Sequence, residues 1–311
     1  MKVPNPSTST LAAAAASCSA YQAHISKLAS SIKPRTLVST RGSGNYGESG
    51  ISAFYTIDEL PSILQAPKNS TSYAPTKLDR VDIDLDPNRL AFTIDGVLSD
   101  EEADALAACA ESILEHNGHS RIAPGIHTPS GMRINEAAHW YPTHDDDDDG
   151  SSSFFLDTIF QRIKHLVPKS LDGLPLYPKL SEKVAHFKYN PNSEDCFNRH
   201  VDGLFPGQGI NSSCDGVDEW VGVVSGMSLL FYLNDYENDG LIGGETRLWS
   251  ADGRKYVDVT PKKGKMLAFR RGSVDAVLHA GLKVSNDSKA PKYMALINLA
   301  YGTQTNTRPL M

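Results

Sequence analysis

The chain has 311 residues, 40% of them hydrophobic, and a formal net charge of −7. That is enough apolar material for one large domain or two ordinary ones, and no run approaches the roughly 18 apolar residues of a membrane span. The acidic balance, with no basic stripe, argues against a nucleic-acid partner.

Four widely spaced cysteines (Cys18, Cys109, Cys196, Cys214) form no CxxC pair and read as reduced thiols of an intracellular protein, cytoplasmic or organellar. The first 47 residues lack Asp and Glu but carry several Lys and Arg and many Ser and Ala. Three readings stand: an organelle transit peptide, disorder, or a helix docked on the core through Tyr21, Ile25, Leu28 and Ile32. Gly42-x-Gly44-x-x-Gly47 has the letters of a dinucleotide fingerprint but no helix opening after it, so it reads as a loop. Gln65–Pro87, rich in Pro, Ser, Thr and Asp, reads as a loop-rich connection.

From Leu90 the chain becomes regular. LAFTIDGVL predicts a strand. SDEEADALAACAESILEHNG predicts a helix, with a Ser99/Glu102 capping box, acids in the first turn and Asn117-Gly118 at the stop. FFLDTIFQRIKHLVP predicts a second helix with Phe155, Ile159, Ile163 and Leu166 on one side. Between them HDDDDDG reads as a solvated loop; an EF-hand spacing is absent.

After Leu180 the pattern changes to short strands separated by turns: KVAHFKY, GMSLLFYL, ETRLW, YVDVT, GKMLAF, AVLH and KYMALINLAY. Helices first and strands afterwards predict an α+β chain, a jelly-roll core buttressed by N-terminal helices.

His200-x-Asp202 lies at the entry to this β region. About one such pair is expected by chance, and His144-x-Asp146 is a second example. What separates them is His279, at the end of a predicted strand in AVLHAGLKV. Two imidazoles and one carboxylate leave three metal positions open, the facial triad of non-haem Fe(II) oxygenases. His144 and Asp146 have no such company and are assigned to solvent. The other histidines (24, 116, 119, 127, 139, 165, 186) read as surface or core residues.

The segment Val184–Gly302 resembles the catalytic domain of prolyl-4-hydroxylase-like 2-oxoglutarate/Fe(II) dioxygenases. HFKYNPN…FNRHVD, YLNDYENDGLIGGET, TPKKGKMLAF…VLHAGLKV and KYMALINLAY follow that family's motifs in order. The resemblance implies a double-stranded β-helix at 181–302, helical support at 88–180 and an N-terminal extension at 1–87. It also implies Fe(II) on His200, Asp202 and His279, with 2-oxoglutarate and O2 as co-substrates and ascorbate as a candidate reductant. The distal carboxylate of 2-oxoglutarate needs a fixed cation. Lys292, which precedes the aromatic that opens the closing strand, is favoured over Lys289. Tyr189 and Tyr232 are candidate hydroxyl partners, each with an ordinary core role as the alternative.

The implied chemistry is oxidation of an unactivated C–H bond (hydroxylation, desaturation or cyclisation) with release of succinate and CO2. The segment from Gly203 to Gly226 is longer than a hairpin needs and reads as a lid, with Phe205 and Trp220 either closing on substrate or pinning the loop. Arg133 and Asn135 in GMRINEAAHWYP, then Arg199, Arg247 and Arg270, are candidate substrate contacts suited to a carboxylate. The register of Arg247 is left open. An amino-acid-derived small molecule is the expected substrate, with peptidyl-proline as the alternative. Outside this class stand a metal-dependent hydrolase or isomerase and a non-catalytic binding module. The sequence names neither a macromolecular partner nor an oligomeric state.

Overall fold

The computed structural model describes residues 20–40, 51–57, 59–65, 77–118, 133–143, 154–211, 213, 215–272 and 274–309. The Gly42–Gly47 loop, His119, His127, the His144–Asp149 run, Cys18 and Cys214 lie outside the described residues.

In chain order the elements open with helix α1 (20–29), β1 (Pro34–Thr40), β2 (Ile51–Ile57), β3 (Arg80–Asp82), β4 (Ala91–Ile94) and α2 (Asp100–His116). There follow β5 (Arg133–Ile134), β6 (Glu136–Pro142), α3 (Phe154–Ile163), β7 (Ser170–Leu171), β8 (Leu174–Leu180), β9 (Val184–Tyr189) and β10 (Cys196–His200). The chain continues with β11 (Pro206–Ile210), β12 (Val217–Tyr232), α4 (Tyr236–Asp239), β13 (Thr246–Trp249) and β14 (Tyr256–Val259). It closes with β15 (Met266–Arg270), β16 (Leu278–Gly281) and β17 (Lys292–Pro309).

Two sheets form the barrel. The larger runs β1-β2-β6-β9-β17-β12-β15-β4-β3, with β11 added on β12 and β8 on β17; the smaller runs β14-β13-β16-β10-β5. The fold is the expected jelly-roll core with helices on one side. The period of two along each strand of the large sheet sorts its side chains between two cores. Met227, Leu229 and Phe231, Met266 and Ala268, and Tyr293, Ala295 and Ile297 face the helices; Leu230 and Tyr232, Leu267 and Phe269, Phe187 and Tyr189, and Met294 face the barrel interior.

The helical layer is pinned by polar contacts as well as by apolar burial. Ser99 and Glu102 make the expected capping box on α2. Arg162 of α3 meets both oxygens of Glu102 at 2.8 Å, tying the second helix to the cap of the first. Tyr21, Ile25 and Ala29 recur on one face of α1 and are buried, as is Ile32 beyond it. The docked helix is therefore observed, but Leu28 is 36% exposed, because its position falls off that stripe.

Two expectations need correction. The chain before Leu90 is not only helix and loop: β1 and β2 extend the large sheet through a parallel β2–β6 pairing, and β3 joins its other edge. The segment read as a lid is a hairpin, β11 running antiparallel to the first half of β12. Trp220 explains why. It lies buried against Tyr177, with Lys179 over its ring, and side chains on Gly207 or Gly209 would collide with it. Glycines that suggest a loop in sequence are here the space for one indole. Among the described residues no helix is long and apolar enough to cross a membrane.

Candidate metal centre and co-substrate pocket

Strands β10 and β16 pair with His200 directly opposite His279. Asp202 follows β10 by two residues, so that it shares a side with His200. One ligand atom from each of the three lies within 4.8 Å of the others. Asp202 Oδ1 is 3.5 Å from His200 Nε2 and 3.9 Å from His279 Nε2. The Nδ1 atoms face backbone carbonyls, Asn198 O at 2.7 Å and Val277 O at 3.1 Å. A carbonyl only accepts, so each Nδ1 donates its proton there and each Nε2 is turned toward Asp202. Phe197 stacks on His200 with centroids 3.6 Å apart, and Phe269 packs on His279 at 4.3 Å. Both rings are thus held in fixed orientations.

Electrostatics match. Burial brings the His279 pKa down to about 4, outweighing the pull of Asp202, so the ring is uncharged at neutral pH. Burial alone would raise the Asp202 pKa, but Arg271, His279 and His200 together hold it well below the usual carboxylate range. Its other oxygen, Oδ2, accepts from Ser228 Oγ at 2.5 Å, with Arg271 Nη1 3.8 Å away. Arg271 is only 3% exposed and donates to Ser228 Oγ (3.1 Å), to Asn298 Oδ1 and, through Nε, to Gly203 O (3.0 Å). Ser228 and Asn298 share strand faces with Tyr232 and Met294, which is why they reach the interior. None of Arg271, Ser228 and Asn298 was singled out from sequence. The Arg-Arg pair after MLAF was the available signal: with Arg270 turned outward at the end of β15, the next residue is free to turn inward.

Deeper in the barrel, Lys292 is fully buried and its Nζ has no hydrogen-bond partner among the described residues. It lies 4.9 Å from the centroid of Tyr189 and 5.5 Å from that of Tyr232. Thr246 is buried nearby and couples to the Tyr232 hydroxyl. Burial lowers the Lys292 pKa to about 7, against the partial support of Glu245. Gly281 has no room for a Cβ, because the Tyr189 hydroxyl would be 2.8 Å from it. A buried ammonium ringed by tyrosines fits an anion and little else. Lys289 sits elsewhere, against Gly240 beside α4.

The remaining candidates divide. Arg199 and Arg247 alternate with His200 and with Leu248, which face inward, so both lie on the outer face of the small sheet. There Arg199 stacks over Trp249, and Arg247 makes a two-point ion pair with Asp258 at 2.7 Å. Arg270 alternates with the inward Phe269 and pairs with Asp172 and Asp275. The barrel therefore does not receive the three arginines that suggested a carboxylate substrate. Trp220 belongs to the hairpin, while Phe205 is 52% exposed with Val201 and Leu204 around Asp202. Asn135 is buried at the junction of β5 and β6; its Nδ2 donates to Glu136 O and its Oδ1 has no partner among the described residues. Arg133 pairs through its backbone with Phe197, the residue stacked on His200.

Residues 186–299 match the family model of the 2OG-Fe(II) oxygenase superfamily. The matched span contains the triad and Lys292, and the protein is a 2-oxoglutarate-dependent non-haem iron oxygenase, using Fe(II), 2-oxoglutarate and O2. Among similar solved structures is a Pseudomonas putida prolyl-4-hydroxylase, 17% identical, covering 67% of this chain and 91% of its own, with a TM-score of 0.43. Another is a Trichoplax adhaerens prolyl hydroxylase in complex with a hypoxia inducible factor oxygen degradation domain peptide fragment, 18% identical, covering 68% and 83%, with a TM-score of 0.42. No curated protein matches the sequence.

Proposed function

We propose that His200, Asp202 and His279 hold Fe(II), that Lys292, Tyr189 and Tyr232 hold 2-oxoglutarate, and that the enzyme oxidises a C–H bond of an amino-acid-derived small molecule. The observation that carries the co-substrate assignment is the buried Lys292 ammonium, without a hydrogen-bond partner among the described residues, which a distal carboxylate would neutralise. When bound, iron with 2-oxoglutarate and oxygen supplies the oxidising power, releasing succinate and CO2. The chain's own residues orient the donor atoms and fix the co-substrate.

For the substrate, support comes from β5. Among the described residues it pairs with Cys196 and Phe197 of β10 and so covers part of the strand edge that a peptide could join near His200. The same segment offers Asn135 Oδ1, a buried acceptor suited to an amine or amide N–H. The exposed Val201, Leu204 and Phe205 favour the second reading, peptidyl-proline hydroxylation, in which they would pack against a peptide.

The test is Fe(II)- and O2-dependent succinate release. Free amino acids and their prenylated or acylated derivatives should stimulate it, and Asn135→Ala should raise their KM without changing that of 2-oxoglutarate. Stimulation by a proline-rich peptide alone would reverse the substrate assignment. His279→Ala should remove both metal binding and turnover.

A further inference from the structure

We propose that Arg271 and Ser228 are positioning residues that restrict Asp202 to a single oxygen toward the metal. The inference rests on the metal assignment above and concerns how one of its ligands is held. The two carboxylate oxygens of Asp202 live in different surroundings. Oδ1 faces both Nε2 atoms, whereas Oδ2 accepts the Ser228 hydroxyl at 2.5 Å.

The direction of that hydroxyl is not free. Arg271 Nη1 has no acceptor function and sits 3.1 Å from the same Oγ, so Ser228 must accept from Arg271 and therefore donates to Asp202. Arg271 is fixed in turn at two further points, by Asn298 Oδ1 and by Gly203 O, the carbonyl next to the metal ligand itself. Gly272 N closes the loop by donating to Asp202 O at 2.7 Å. A guanidinium, a hydroxyl and one carboxylate oxygen thus form a one-way hydrogen-bond chain that ends on the carboxylate as acceptor.

A carboxylate can chelate a cation through both oxygens or bind it through one. Holding Oδ2 with a charge-assisted chain favours the second mode. It keeps the remaining positions for co-substrate and oxygen, which the chemistry of a three-ligand site requires. The chain is built from residues that no triad motif contains, on β12, β17 and the turn after β15, so it can vary independently of the ligands.

The experiment compares Ser228→Thr with Ser228→Val in the full chain, reading Co(II) affinity by calorimetry. The two side chains have nearly the same volume and shape, so a packing defect strikes both equally, while only threonine retains the hydroxyl. Ser228→Thr should bind Co(II) within about twofold of wild type and Ser228→Val about tenfold more weakly, the usual size of such an outer contact. Arg271→Met should weaken binding similarly, and adding it to Ser228→Val should cost nothing further, since both break one chain. Should Arg271→Met not fold, Arg271→Lys, which loses the fork, takes its place in the same cycle. Equal affinities for the Thr and Val variants, or additive losses in the double variant, overturn the proposal. A wild-type protein that takes up no Co(II) would instead sink the metal assignment beneath it.

Discussion

A lysine ammonium buried in a barrel interior, with only partial support from Glu245, is an unstable arrangement, and its titration should be visible in binding. Burial brings Lys292 to about 7, so near neutral pH the free protein holds it half-charged. A dicarboxylate binds the charged form and raises its pKa again. The sign follows: below pH 7 the proton is already present, and above it binding must take one up. The Kd of 2-oxoglutarate should then rise about tenfold per pH unit above 7, with proton uptake seen as a buffer-dependent heat. Lys292→Arg, always charged, should flatten that dependence. A flat wild-type profile would count against Lys292 as the anchor. Sequence favours Lys292 over Lys289 because it precedes the aromatic that opens the closing strand, and the structure buries it in phase with Met294 and Leu296. Arg271 was not legible, since a buried guanidinium is recognisable only by partners from three other segments.

Elements announced by local patterns were readable in the sequence: the α2 cap, the α3 stripe, β9, the second half of β12 and β13 to β17. The β11–β12 hairpin was not. Its strand signal is Trp220 resting on two glycines and under Lys179, contacts that no local period reports, while Gly, Asn and Ser suggested a loop. The two readings separate experimentally. Trp220→Ala should destabilise the fold by about 3 kcal/mol through the lost indole, measured by urea unfolding, and leave the 2-oxoglutarate KM within about twofold. A lid residue would do the reverse, shifting substrate kinetics at little cost in stability.

At the scale of the molecule, one sheet serves two cores, and alternation along β9 and β17 keeps their chemistry apart. Lys292 enters the barrel while its neighbour Tyr293 turns to the helices, where Tyr293 and Lys188 both meet Glu111 of α2. On the same helical face His186 lies parallel to Trp140, with centroids 6.1 Å apart. Burial holds the His186 pKa at about 3, against the smaller effect of the Met294 backbone. The unfolded chain takes up that proton near pH 6.5 and the folded chain does not, so the unfolded state binds more protons between pH 3 and 6.5. Stability must therefore fall as pH is lowered through that window. Between pH 7 and 5 the expected loss from this one ring is about 2 kcal/mol. His186→Phe, which keeps the stacking and cannot protonate, should lose that much less than wild type over the same interval in urea unfolding. The comparison cancels the other titrating groups, His279 among them. Parallel pH profiles for the two proteins would mean that His186 is protonated in the folded state, and that this face of the sheet is open to water.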